Sequence, residues 1–112
     1  MKIIEEQISI EEIKLMAEDF SGDYVKAVVD IEREIIAIDA EMHSDLEAIL
    51  LNEGSLQYDL WGINLYPDKN RNELIEFDSL INIRPKMKNM SRDVEDNETR
   101  IKIINIVEKL VK

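Results

Sequence analysis

The chain has 112 residues, with 14 lysines and arginines against 25 aspartates and glutamates, and no cysteine. That length suits one domain and hardly two, and it buries roughly two thirds of the surface the unfolded chain exposes, enough for one core without staples. Lack of cysteine excludes disulfides and thiolate metal sites, and a net charge of -11 argues against general nucleic-acid or anionic-membrane binding, which needs a basic face.

The opening "MKIIEEQIS" carries two glutamates where a signal peptide needs a positive region followed by an apolar run. No stretch approaches the roughly 18 uncharged apolar residues of a membrane span. With the cysteine-free composition, the expectation is a soluble, cytoplasmic protein with no membrane association.

In chain order, "KIIEE" reads as a short strand. Ser9 stands three residues before Glu12, a capping box that opens a helix whose apolar face is Ile10, Ile13, Met16, Ala17 and Phe20, with Gly22 at its end. From Tyr24 to Ile31, Val25, Ala27, Val29 and Ile31 alternate with Lys26 and Asp30, which predicts a strand; "EREIIAID" is its return, after a turn near Glu32 to Glu34. Ser44 and Glu47 form a second capping box, for a helix through Leu46, Ile49 and Leu50 that Gly54 closes.

"YDLWGINLYP" alternates again, with Trp61, Ile63 and Leu65 on one face and Leu60, Gly62, Asn64 and Tyr66 on the other; Pro67 ends it. After the loop "DKNRN", "LIEFDSLINIR" reads as a return strand with Ile75, Phe77, Ser79, Ile81 and Ile83 on one face and Glu76, Asp78, Leu80, Asn82 and Arg84 on the other, until Pro85 stops it. Asp96 is a good N-cap for a last helix with the stripe Ile101, Ile104, Val107, Leu110 and Val111. The predicted fold is a single α+β domain over residues 1–112, in the order βα-ββα-ββα. An antiparallel sheet of four to five strands carries two to three helices on one face.

Positive charge gathers in one place. Residues 79 to 92, "SLINIRPKMKNMSR", hold Arg84, Lys86, Lys88 and Arg92 and no acid, leaving 10 basic and 25 acidic side chains elsewhere. Asn89 and Ser91 add neutral donors, and the helix beginning near Asp96 presents free N–H groups and a positive dipole end, a combination suited to phosphate or carboxylate. Asp93, Glu95 and Asp96 sit at the same helix start and compete for that charge. The competing reading is that the four cations pair with the protein's own acids, each exposed pair contributing about 0 to 1 kcal/mol.

Strand parity supplies a second cluster. Asn64 and Tyr66, with Asp78, Asn82 and Arg84 on the partner strand, share the face opposite Trp61, Ile63 and Phe77, where they either orient a small polar ligand or form the solvated side of the sheet. His43, the only histidine, lies in "EMHSDLE". A metal site needs three or more convergent ligands, and Ser44 as N-cap would put His43 just outside the helix, so no metal is expected. As a general base it needs a partner and a cleft. No P-loop, dinucleotide fingerprint, nucleophile elbow or zinc-protease motif occurs, so no cofactor is expected. Trp61 beside Gly62 marks either a close backbone approach or ordinary core.

Taken together, "HSDLEAILL", "DLWGINLYP", "IEFDSLINIRP" and "NMSRDVED" resemble a small prokaryotic family described as domain of unknown function 5674. The resemblance runs from about Ile3 to the last helix. It implies a one-domain protein and brings no assigned activity. Carried onto this chain, the family's recognisable positions are His43, Asp45, Trp61, Gly62, Asn64, Asn82, Arg84, Pro85, Asn89, Ser91, Arg92, Glu95 and Asp96. Two positions depart from the family pattern: Lys88 stands where a glycine is expected and Asn97 where a proline is expected. The first removes the support for a tight, glycine-dependent loop; Asn97 can also begin a helix.

Three classes of function follow. The favoured one is a non-catalytic binding module that recognises a small anionic ligand or an acidic protein partner through Asn64, Asn82, Arg84, Asn89, Ser91 and Arg92. The second is a small enzyme acting on a phosphorylated or carboxylated metabolite, with Arg84 and Arg92 holding the anion and His43 or Asp78 handling protons. The third is a structural subunit whose edge strand pairs in a homo-oligomer.

Overall fold

A computed structural model describes residues 1–20 and 22–112. Five antiparallel strands form one sheet in the order β1-β3-β2-β4-β5: β1 Lys2–Ile4, β2 Val25–Asp30, β3 Ile35–Ile38, β4 Leu60–Leu65 and β5 Ile75–Glu76. Among the described residues three α-helices accompany it: α1 Ile10–Glu18, α2 His43–Asn52 and α3 Asn97–Leu110. Among the described residues no helix is long and apolar enough to cross a membrane.

The predicted α+β order holds, but the helices cover both faces rather than one. Ile13 and Ala17 of α1 join Ile103, Ile106, Val107 and Leu110 of α3 over Val25, Ala27, Val29, Trp61, Ile63 and Leu65. On the opposite face, Leu46 and Leu50 of α2 pack on Val28, Ile35, Ala37 and Leu60. Every residue of β3 and β4 is therefore buried. The alternating sides of these strands are two apolar surfaces, not one core side and one wet side.

Local chemistry explains the boundaries. Ser9 Oγ accepts from the Glu12 N–H at 3.1 Å, as the first capping box predicts, while the Glu12 carboxylate turns to Lys2. Phe20 falls beyond α1 and is exposed, so it does not extend that helix's face. Asp30, which the alternation sets opposite the apolar positions of β2, is fully buried: its carboxylate accepts from the N–H groups of Glu32 and Arg33 and from Ser55 Oγ at 2.6 Å, tying the β2–β3 turn to the end of α2. Asp96 caps α3 by accepting from the Thr99 N–H. The stripe on α3 is corrected to Ile103, Ile106, Val107 and Leu110, an i, i+3, i+4, i+7 set, whereas Ile101 is 49% exposed.

Two further corrections bear on the site. Ser44 does not cap α2: the helix begins two residues earlier than that cap would set it, Met42 is its N-cap with no side-chain hydrogen bond, and His43 lies in the first turn. The strand predicted over "LIEFDSLINIR" is only two residues long, and a 3-10 turn at Leu80–Asn82 follows it. Gly62 supplies the cause. A Cβ there would stand 2.5 Å from both Cβ and Oγ of Ser79, so the chain from Ser79 onward crosses directly over Gly62 instead of continuing alongside β4.

Candidate functional site

The basic segment is knitted into the protein. Asn82 is fully buried; its Oδ1 accepts from the Gly62 N–H, and its Nδ2 donates to the carbonyls of Gly62 and Arg92. Asn89 donates to the carbonyls of Asn82, Ser91 and Asp93 and accepts from the Glu95 N–H. Arg84 has a side chain only 12% exposed; it donates to the Leu60 carbonyl, lies 3.5 Å from Glu47 and stacks 4.9 Å from the centre of the Trp61 ring. Burial pulls its guanidinium below the ordinary value while Glu47 opposes that shift.

The loop also contains an anion nest, and the protein fills it. Glu95 Oε2 accepts from the Met90 N–H, the Ser91 N–H and Ser91 Oγ at 2.9, 2.8 and 2.6 Å. The Ser91 hydroxyl first, and then the two backbone donors, hold the Glu95 carboxyl below its usual range. Lys88, where the family pattern has glycine, adopts the left-handed conformation at φ 60. The tight turn thus forms without the glycine, which corrects the expectation drawn from that departure.

A different place collects unspent polar chemistry. On the α2 side of the sheet, beyond the end where Leu46 and Leu50 pack, the start of α2, β2, β4, β5 and the following segment surround an open cavity of about 480 Å³. Lys26, His43, Asn64, Glu76, Asp78 and Arg92 line it, with Tyr24, Ser44 and Tyr66. Lys26 is opposite Asn64, and Asn64 is opposite Glu76, so one row across three strands runs cation, amide, carboxylate.

Each member has a defined state. Asn64 is 6% exposed and its Nδ2 donates to Glu76 Oε1 at 2.8 Å and to the Asp78 carbonyl at 3.4 Å; its Oδ1 is buried with no donor among the described residues. Tyr66 donates to the same Glu76 oxygen, and burial, then that carboxylate, pushes the phenol up to about 12. Arg92 Nε donates to Asp78 Oδ1. His43 Nε2 lies 2.7 Å from the Ile63 carbonyl oxygen, which only accepts, so the proton of the neutral ring is on Nε2 and Nδ1 is basic. Burial pulls the imidazole below its ordinary value, outweighing the Ile63 hydrogen bond; Lys26 and Arg92 push the same way and Asp78 opposes.

Of the residues singled out in the sequence, His43, Asn64, Asp78 and Arg92 meet around this cavity, while Asn82, Arg84, Asn89 and Ser91 are engaged elsewhere. Lys26 and Glu76 were missed as site residues. Their strand parity places both on the Asn64 face, and only the register across β2, β4 and β5 aligns them. Among the described residues no group of three or more His, Cys, Asp or Glu is gathered for a metal ion.

A family model described as "Protein of unknown function (DUF5674)" matches residues 2–110. The chain belongs to this family. No curated protein and no solved structure matches it. The family match spans all five strands and all three helices, so the cavity residues and the buried Asn82–Gly62 pairing both lie within the shared region.

Proposed function

We propose that this protein is a binding module for a small anion, a carboxylate or phosphate, held in the cavity at the start of α2. The observation that carries the reading is that the uncapped start of the ten-residue α2 borders the same cavity as Lys26, Arg92 and the donor-less Oδ1 of Asn64. A helix start leaves N–H groups without intrahelical partners and carries a positive dipole end, which favours negative charge. Lys26 has no carboxylate within ion-pair distance among the described residues, so its charge is available. The volume lies within the ordinary range of ligand pockets.

In this reading Asn64 and Arg92 remain ligand contacts, Lys26 joins them, and Asn82, Arg84, Asn89 and Ser91 shape the wall that carries Arg92. The test is thermal unfolding with inorganic phosphate, acetate and succinate on wild type, Lys26→Gln and Arg92→Gln. A ligand at 100 times its dissociation constant adds about 2.7 kcal/mol, a shift of several degrees for a domain this size. The expected result is a shift in wild type that shrinks in both variants. No shift in wild type, or an equal shift in all three proteins, overturns the reading.

A second reading, an enzyme acting on such an anion, is favoured by one observation: a neutral histidine with a basic Nδ1 shares the cavity with Asp78 and Arg92. It requires that turnover of a bound ligand be lost in His43→Gln while binding persists.

A further inference from the structure

Resting on that reading, we infer that the ligand is a zwitterion, a small amino acid carrying an ammonium as well as its carboxylate. The cavity is not simply basic. Two carboxylates, Glu76 and Asp78, face two cations, Lys26 and Arg92, so a bare anion would meet repulsion at one side of the space that attracts it at the other.

The opposing charges are ordered by the strand register. Lys26 on β2 and Glu76 on β5 are the ends of one row with Asn64 between them, two strand spacings or roughly 10 Å from Cα to Cα. At the Glu76 end the acceptors outnumber their donors. Glu76 uses Oε1 for both Asn64 and Tyr66, and Asp78 uses Oδ1 for Arg92, which leaves the second oxygen of each carboxylate without a hydrogen bond among the described residues. Because the phenol of Tyr66 stays protonated far above neutral pH, it remains a donor and holds Glu76 in place.

Asn64 adds the requirement that decides the class. Its Nδ2 faces two acceptors, so the amide orientation is settled by its partners, and the Oδ1 left over needs a donor that none of the described residues provides. His43 Nδ1 is a further acceptor on the same cavity. A carboxylate alone supplies no donor; an ammonium supplies three. An amino acid with its carboxylate toward Lys26 and the start of α2, and its ammonium toward Asn64, Glu76 and Asp78, matches both ends.

The experiment compares ligand pairs that differ only by the ammonium: glycine with acetate, β-alanine with propionate, and γ-aminobutyrate with butyrate. Isothermal titration calorimetry is run on wild type, Glu76→Gln, Asp78→Asn and Lys26→Gln, with circular dichroism to confirm that each variant is folded. At least one amino member should bind wild type about tenfold or more tighter than its nitrogen-free partner. That preference should shrink in whichever of Glu76→Gln and Asp78→Asn folds, while Lys26→Gln weakens both members of the pair. If the nitrogen-free acids bind as tightly as the amino acids, the zwitterion inference is wrong and the anion reading stands. If neither class binds wild type while phosphate does, the site takes anions only, and if nothing binds at all, both readings fall.

Discussion

The side chain of Asn82 pairs with Gly62 as a neighbouring strand would, accepting from its N–H at 2.8 Å and donating to its carbonyl at 2.9 Å. One side chain thus completes the ladder of β4 where β5 has already ended, and a third bond to the Arg92 carbonyl anchors the segment that carries Arg92 into the cavity wall. Asn82→Ala leaves these buried backbone groups unpaired at roughly 1 to 3 kcal/mol each, so a loss of about 3 to 5 kcal/mol is expected from urea unfolding. Asn82→Asp keeps the acceptor but sets a buried carboxylate oxygen against the Gly62 and Arg92 carbonyls, and should lose at least as much. A loss below about 1 kcal/mol in the alanine variant would mean that water replaces the amide without cost.

Arg84 is expected to matter for stability and not for ligand. It is anchored on the Leu60 carbonyl, Glu47 and the Trp61 ring, away from the residues that line the cavity. Removing a charged donor from a buried carbonyl costs about 1.5 to 3 kcal/mol, and Glu47 loses its partner as well, so Arg84→Ala should lower stability by about 2 to 3 kcal/mol. Its affinity for whatever phosphate or carboxylate wild type binds should stay within twofold. A tenfold loss of affinity in folded Arg84→Ala protein would return the basic loop to the ligand site.

The comparison of sequence with structure turns on a few residues. Ser9, Asp96 and the alternation through β2 and β4 were legible because caps and period-2 patterns act locally. The segment after Glu76 was not, since an alternating pattern cannot distinguish a strand that pairs through its backbone from one that leaves the ladder and pairs through Asn82. Arg84 read as a ligand contact or as half of an exposed ion pair, because charge is normally solvated. Burial became favourable only through Trp61 and Glu47, contributed by β4 and α2. Likewise, Lys26 looked like an outward strand residue until the register set it beside Asn64 under the start of α2.

Lys88 offers a stabilising substitution. At φ 60 its side chain is held in the left-handed region, which costs a non-glycine residue about 1 to 2 kcal/mol. Glycine removes that strain and gives back part of the gain through the greater freedom of the unfolded chain, about 0.4 to 1 kcal/mol. Lys88→Gly should therefore raise stability by about 0.5 to 1 kcal/mol, read as a higher urea midpoint at unchanged slope. A lower midpoint would show that the Lys88 side chain makes a compensating contact.

His43 should impose a pH dependence of its own. Its folded-state pKa is depressed by burial, so near and below the ordinary value of 6.5 the unfolded chain binds a proton that the folded chain does not. Stability from the neutral ring is then complete above that value. It declines as pH falls through it, and levels once the folded ring also protonates. Glu95 and Asp96, with carboxyls held below their usual range, lose their contributions at lower pH, in the carboxylate region. Asp59, whose carboxyl is raised, works with the opposite sign. Subtracting the pH profile of His43→Gln from that of wild type isolates the histidine, since glutamine keeps a donor for the Ile63 carbonyl but does not titrate. The difference should fall as pH drops from 7 toward 5. A flat difference would mean that the imidazole is as easily protonated in the folded protein as in the unfolded chain, and a rising one that it is charged and paired with Asp78.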